Sequence, residues 1–198
     1  IGGPFIDLVE RKIEELTNIK HCICVGNATD AMEIIFSFLN LPRGSNVLVP
    51  AHTMLATASA ARSAGLNPLP MDVCEKSLMT EITQLKECLL DNVSACMITQ
   101  LNGVVADMDP IQEFCLKNNI ALVEDSAQGI GAFNNKKHSG SWGIGGCLSF
   151  YPAKVIGSLG DGGAIITNND NLNAFARSVR DHGRGPDLEA INWGRNSR

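Results

Sequence analysis

Two ionisable residues stand out by their settings. Asp125 closes the apolar run IALVED (120–125), and Lys154 follows a hydrophobic segment in SFYPAK. An acid at a strand end can be a turn or capping residue. It can also be a carboxylate held in a low-dielectric site opposite a cationic ring nitrogen, keeping that nitrogen protonated so that the ring can take up electrons. Lys154 sits behind Phe150, Tyr151 and Pro152 and ahead of Val155 and Ile156, with few charged neighbours. An isolated lysine commonly snorkels off such a segment. A desolvated one offers an amine for a Schiff base with an aldehyde. Taken singly, both residues keep both readings.

A phosphate needs fixed donors without bulk. GNATDA, at a helix start, presents backbone N–H groups and the Thr29 hydroxyl, and Ser149 lies shortly before Lys154. Thr29 by itself reads equally as a helix cap. The run GSLGDGG (157–163) lacks the Gly-x-x-x-x-Gly-Lys-[Ser/Thr] spacing of a P-loop. Its glycines are expected to permit a tight, positive-φ turn.

The elements that must position these residues alternate regularly. HCICV (21–25), SNVLVP (45–50), NPLPMD (67–72), ACMITQ (95–100) and IALVED (120–125) read as strands. Helical spacing over 29–39, 53–64, 80–90 and 110–118 separates them, with Thr29 or Asn27 as the first cap. Prolines within 67–72 suit an edge or irregular strand. Strand then helix, repeated, predicts βαβ units and a mainly parallel sheet covered on both faces. After Asp125 come short strands around CLSFY (147–151) and GAIITN (163–168), then a helix near 170–180. The fold class is therefore α/β, a three-layer α/β/α sandwich with a mixed, mainly parallel sheet. In such a sheet ligands gather at the carboxyl ends of the strands, where VGNATDA, VPAHT, ITQLNG and VEDSAQ all fall.

Composition narrows the classes. The 198 residues are 44% hydrophobic, enough for one well-filled core. Net charge is −5, and the longest basic cluster is Lys136-Lys137-His138, a poor surface for nucleic acid. No apolar run reaches the length of a membrane span, and Ile1-Gly2-Gly3-Pro4 lacks a signal-peptide layout. Seven cysteines, odd in number and without paired spacing, predict buried free thiols rather than disulfides or zinc, and a reducing cytoplasm. The chain opens inside an amphipathic helix and stops after a polar, loop-like stretch at Arg198, which suggests a fragment.

The ordered set of strings carries more than its members. VEDSAQGIGA followed by CLSFYPAKVIGSLGDGGAIITN resembles the DegT/DnrJ/EryC1/StrS aminotransferases. NATDAM, VPAHTMLATASAARSAGLNPLPMDV, LNGVVADMDPI, DHGRG and WGRNSR are similar to further segments of that family, in order, from about residue 3 to the last. The resemblance implies the aspartate-aminotransferase type of fold, fold type I of the pyridoxal-phosphate enzymes, with residues 1–198 as the large domain and a small C-terminal domain beyond. It implies pyridoxal 5'-phosphate as cofactor, with Lys154 as the lysine that joins it and moves protons. Asp125 then matches the partner of the ring nitrogen and Gln128 the contact near the ring hydroxyl. Ser149, Thr29 and the Asp30 amide match phosphate contacts. Asn196 matches an asparagine that reaches into the neighbouring subunit's phosphate site, which implies a homodimer. The implied reaction moves an amino group from an amino acid, by resemblance L-glutamate, to a keto-sugar, typically nucleotide-linked.

Two departures from the family stand in this chain. Met54 occupies the place of the usual aromatic residue stacked over the ring; a polarizable sulfur can cover a ring face but without fixed geometry. His52 is a possible substitute. The second departure is that the family's small C-terminal domain is missing from residues 1–198. Among rivals, dehydratases of the same fold carry His where this chain has Lys154. A dinucleotide-dependent oxidoreductase would need Gly-x-Gly-x-x-Gly where VGNATDA stands. A non-catalytic or regulatory protein of the same fold is a third alternative.

Overall fold

A computed structural model of the chain describes residues 3–88 and 92–198. In chain order the elements are α1 (Pro4–Thr17), β1 (His21–Val25), α2 (Ala28–Phe38), β2 (Asn46–Pro50), α3 (Leu55–Ser63) and β3 (Asn67–Met71). Then come α4 (Ile82–Glu87), β4 (Val93–Thr99), α5 (Met108–Lys117) and β5 (Ala121–Asp125). A two-residue ribbon, β6 (Phe133–Asn134) with β7 (Lys137–His138), precedes β8 (Gly146–Ser149), β9 (Gly163–Thr167) and α6 (Asp170–Arg180). The helix expected over 80–90 ends at Glu87 within the described residues, and its Leu89 lies outside them.

The main sheet has seven strands in the order β1-β9-β8-β5-β4-β2-β3. β3, β2, β4, β5 and β8 run parallel, and β9 runs antiparallel to both β8 and β1. β3 takes the edge. Its Pro68 and Pro70 lack the N–H that a strand flanked on both sides would need.

Alternation along the strands divides the core between two faces. Ile23, Val49, Met97, Val123, Cys147 and Ile165 pack on one side with residues of α2, α3 and α6. Leu48, Cys96, Ile98 and Leu122 pack on the other with residues of α5, while Cys22, Leu148 and Ile166 pack there with Ile13 of α1. The three-layer arrangement follows from that two-sided burial. All seven cysteines are free thiols. Among the described residues no helix is long and apolar enough to cross a membrane.

The closing segment is not the free loop its polarity suggests. Arg195 and Ser197 donate backbone N–H groups to the carbonyls of Val179 and Arg180 at 2.8 and 2.9 Å. The Arg195 guanidinium pairs with Glu33 of α2, and Gly26 N–H donates to Ser197 Oγ at 2.9 Å. Polar residues read as loop, but here they fasten the tail to the end of α6, to α2 and to the β1–α2 turn.

Candidate functional site

Strand parity decides which side chains reach the rim. Met97, Val123 and Cys147 pack beneath α2 and α3. Two residues further along their strands, Thr99, Asp125 and Ser149 therefore emerge on that same face, at the carboxyl ends. There, with the amino end of α2, they line a cavity of about 820 Å3. Thr29 and Asp30 border it from the first turn of α2, Met54 from the start of α3, and Gln128 from the turn after β5. Lys154, half-buried, closes it from the segment after β8. Of the residues singled out in the sequence, Asn196 lies elsewhere. It is exposed, bridges by its backbone to Asp181, and takes a 3.4 Å contact from Arg198.

Asp125 is the best-fixed polar group of this cavity. Its side chain is buried, and donors converge on both oxygens. Thr57 Oγ1 donates to Oδ2 at 2.7 Å, while Ala127 N–H and the Cys147 thiol donate to Oδ1 at 3.1 and 3.3 Å. Burial, then the nearby Asp125 charge, push the Cys147 thiol well above its ordinary range, so it stays a donor. Thr57 and Cys147 both lie within strings that carry the resemblance, but the resemblance implies no role for either. Thr57 is one small residue in LATASAARS, and its facing is set by how α3 packs on the sheet.

The amino end of α2 gives a mixed result as an anion site. The Thr29 hydroxyl borders the cavity, but Asp30 N–H already donates to the Asn27 side chain at 2.8 Å. Asn27, not Thr29, is the cap. The expected contact from the Asp30 amide therefore competes with an internal acceptor. The Asp30 carboxylate itself is engaged by the Ser197 hydroxyl and lies 3.8 Å from Arg195, which restrains an acid that would otherwise face an anion.

The glycine run departs from expectation. Gly157, Gly160, Gly162 and Gly163 all avoid positive φ, so no left-handed turn explains them. Close approach explains two of them, Gly157 and Gly163. A Cβ on Gly163 would stand 2.5 Å from the Asn27 carbonyl carbon and 2.6 Å from Ala28 N, and one on Gly157 would stand 2.5 Å from the Pro152 oxygen. β9 starts hard against the first turn of α2, which only a glycine allows.

The apolar neighbours expected to shield Lys154 are themselves open. Phe150 is buried, but Tyr151 is 54% exposed, Val155 77% and Ile156 44%. Sequence hydrophobicity could not distinguish a covered segment from an uncovered one. Met54 is 73% exposed at the mouth. His52 does not border the cavity; its Nδ1 lies 3.2 Å from the Leu78 carbonyl. Gln128 is held from outside, accepting Asn102 N–H at 2.8 Å on Oε1, which leaves its amide N–H groups for a ligand.

The chain matches the DegT/DnrJ/EryC1/StrS aminotransferase family over residues 1–198. It is 33% identical over 198 residues to the UDP-2-acetamido-2-deoxy-3-oxo-D-glucuronate aminotransferase of Pseudomonas aeruginosa, covering 100% of this chain and 55% of that protein. It superposes with a TM-score of 0.95 on DesV of S. venezuelae in complex with a ketimine intermediate, at 29% identity, covering all of this chain and 53% of the other. A DegT DnrJ EryC1 StrS aminotransferase from Brucella abortus gives a TM-score of 0.93 at 33% identity, with 100% and 55% covered. The chain thus spans about half the length of the relatives it matches.

Proposed function

Because this chain belongs to the DegT/DnrJ/EryC1/StrS aminotransferase family, we propose that it is the cofactor-binding large domain of a pyridoxal-phosphate-dependent aminotransferase. The amino donor is an amino acid, L-glutamate, and the acceptor a nucleotide-linked keto-sugar. Amino-sugar biosynthesis in the cytoplasm is the setting. The carrying observation is that Lys154 and Asp125, far apart in sequence, border one cavity together with Gln128, Ser149 and Thr29.

The residues fit the cofactor. A buried carboxylate with donors on both oxygens suits a protonated ring nitrogen, since a cation is the natural counterpart of a desolvated anion. Thr29, Ser149 and the α2 amino end offer hydroxyls and N–H groups to a phosphate. When bound, pyridoxal phosphate supplies an aldehyde carbon that takes up amines and a cationic ring that accepts electrons. Lys154 would hold the cofactor and, once released, carry a proton from the donor's α-carbon and deliver one to the acceptor at Nζ. Asp125 would keep the ring nitrogen protonated. Gln128 would orient the ring through its free amide N–H groups, and Met54 would lie over the ring face.

A second hollow, of about 600 Å3, shares Gln128, Ala153 and Lys154 with the first and gives room for a sugar beside the amine. The name of the Pseudomonas aeruginosa relative is that of an aminotransferase acting on a UDP-linked oxo-sugar, which supports that substrate class. Lysine rather than histidine at 154 favours amino transfer over the dehydratase alternative. In this reading the protein is a homodimer in which exposed Asn196 reaches the partner subunit's phosphate site, and a smaller C-terminal domain lies outside residues 1–198.

The test is spectroscopic. Purified protein given pyridoxal phosphate is expected to show a visible absorbance band that glutamate bleaches, and Lys154→Ala is expected to lack it. A band that survives Lys154→Ala removes the lysine from its role. A wild-type band indifferent to glutamate and every other amino acid would leave a non-catalytic protein of the same fold.

A further inference from the structure

In the cavity wall runs a line of hydroxyls ending on Asp125. Thr99 Oγ1 and Thr53 Oγ1 are 3.1 Å apart, Thr53 Oγ1 and Thr57 Oγ1 2.7 Å, and Thr57 Oγ1 and Asp125 Oδ2 2.7 Å. Each hydroxyl has one proton, and a carboxylate only accepts. The proton of Thr57 goes to Asp125, so its oxygen must accept from Thr53, and that of Thr53 must in turn accept from Thr99. Every proton in the line points towards the acid. Thr99 and Thr53 border the cavity, whereas Thr57 is fully buried and does not.

We propose that Thr57 is a positioning residue for Asp125, fixing the rotation of the carboxylate so that one edge faces a ring bound in the cavity. This rests on the proposed cofactor only for its purpose; the hydrogen bonds belong to the protein alone. The other oxygen is tied by Ala127 N–H and the Cys147 thiol, so the carboxylate is gripped at both ends, and Thr57 is the sole side-chain donor seen on Oδ2 among the described residues. Without it, the plane of Asp125 is held from the Oδ1 end only, about a last bond for which carboxylates have a broad, shallow preference. Thr57 also comes from α3, while Asp125 and Cys147 come from the sheet. The hydroxyl thus ties helix placement to the ring-facing acid.

The experiment compares apo crystal structures and pyridoxal-phosphate dissociation constants for wild type, Thr57→Val, Thr57→Ala and Thr57→Ser in the full chain. Valine keeps the shape without the donor. Alanine guards against a folding failure, being the best helix former and at home in LATASAARS. Serine restores the hydroxyl. In the valine and alanine variants the Asp125 carboxylate is expected to rotate or split between orientations and affinity to weaken about tenfold, the worth of one hydrogen bond to a charged group. Serine is expected to return both. Valine and alanine variants with the carboxylate in its wild-type orientation and affinity within about threefold overturn the proposal. Wild type that takes up no cofactor defeats the aminotransferase reading instead, and the apo carboxylate orientation still decides the role of Thr57.

Discussion

Glu124 and Asp125 are consecutive in β5, yet their carboxylates serve opposite faces of the sheet. Asp125 turns to the cavity. Glu124 turns away and is consumed by the fold, accepting Trp142 N–H and Gly143 N–H on Oε1 at 2.6 and 3.0 Å. Its Oε2 accepts Gly140 N–H at 2.8 Å and the Gln100 amide at 3.1 Å. Burial pushes this carboxyl up from its ordinary value and the four donors pull it back. The acid therefore shapes the 140–143 turn that leads into β8, and through it the approach of Ser149 and Lys154.

Glu124→Gln replaces one acceptor oxygen by a donor facing two other donors. Leaving buried N–H groups unmatched is expected to cost about 2–4 kcal/mol of stability. Urea denaturation measures it. A loss below about 0.5 kcal/mol, the range of ordinary surface changes, would show that the turn does not depend on this acid.

Much of the frame was legible in the residues. Strand and helix alternation to β5, the proline-bearing edge strand β3 and the short strands after Asp125 all follow from periodicity and turn chemistry. Convergence of GNATD, Asp125 and SFYPAK at one rim follows once the strands are parallel. What stayed hidden depends on tertiary facing. Thr57 is distinguished from Thr53 and from its alanine neighbours only by the side of α3 that meets the sheet. Gly163 is required by its distance to α2 rather than by φ. The tail 195–198 reads as loop because its partners, Glu33, Val179 and Arg180, lie far back in the chain. The exposure of Tyr151 and Val155 is equally unreadable, since hydrophobicity does not say what covers it.

Gly163→Ala would press a methyl into the first turn of α2. With contacts of 2.5 and 2.6 Å to backbone atoms, the helix end must shift. A loss of about 1–3 kcal/mol is expected, the usual toll of overpacking. Phosphate-group affinity should fall with it, because the same turn carries Thr29. Gly160→Ala is the control: its Cβ meets nothing within 4 Å, and stability should change by less than about 0.5 kcal/mol. Thermal melts and cofactor titration read both, and equal behaviour of the two variants would contradict the close-approach explanation.

Asn27→Ala separates capping from anion binding. Loss of the cap on α2 is expected to lower stability by about 1 kcal/mol. The same change releases the Asp30 N–H, which Asn27 now occupies at 2.8 Å. Affinity for pyridoxal phosphate should therefore hold or rise while the urea midpoint falls. If affinity drops alongside stability, Asn27 itself is a ligand contact and the amide is not the competing donor.

His138 supplies a pH dependence with a definite sign. Its ring is buried, its Nε2 accepts Gly131 N–H at 2.9 Å, and its Nδ1 meets the Ser139 carbonyl. The tautomer is thereby fixed as neutral with the proton on Nδ1. Burial lowers its folded-state value below the ordinary 6.5, and the Ser139 contact offsets this only in part. The unfolded chain then binds the proton first as pH falls. The site's stability is complete above about pH 6.5, declines as pH drops from there towards the lower folded value, and is level beneath it. Denaturation midpoints from pH 8 to pH 5 (roughly the span in which histidine titrates) should show that decline in wild type and a flatter profile in His138→Asn. A variant profile that slopes as steeply as wild type would assign the dependence to another group.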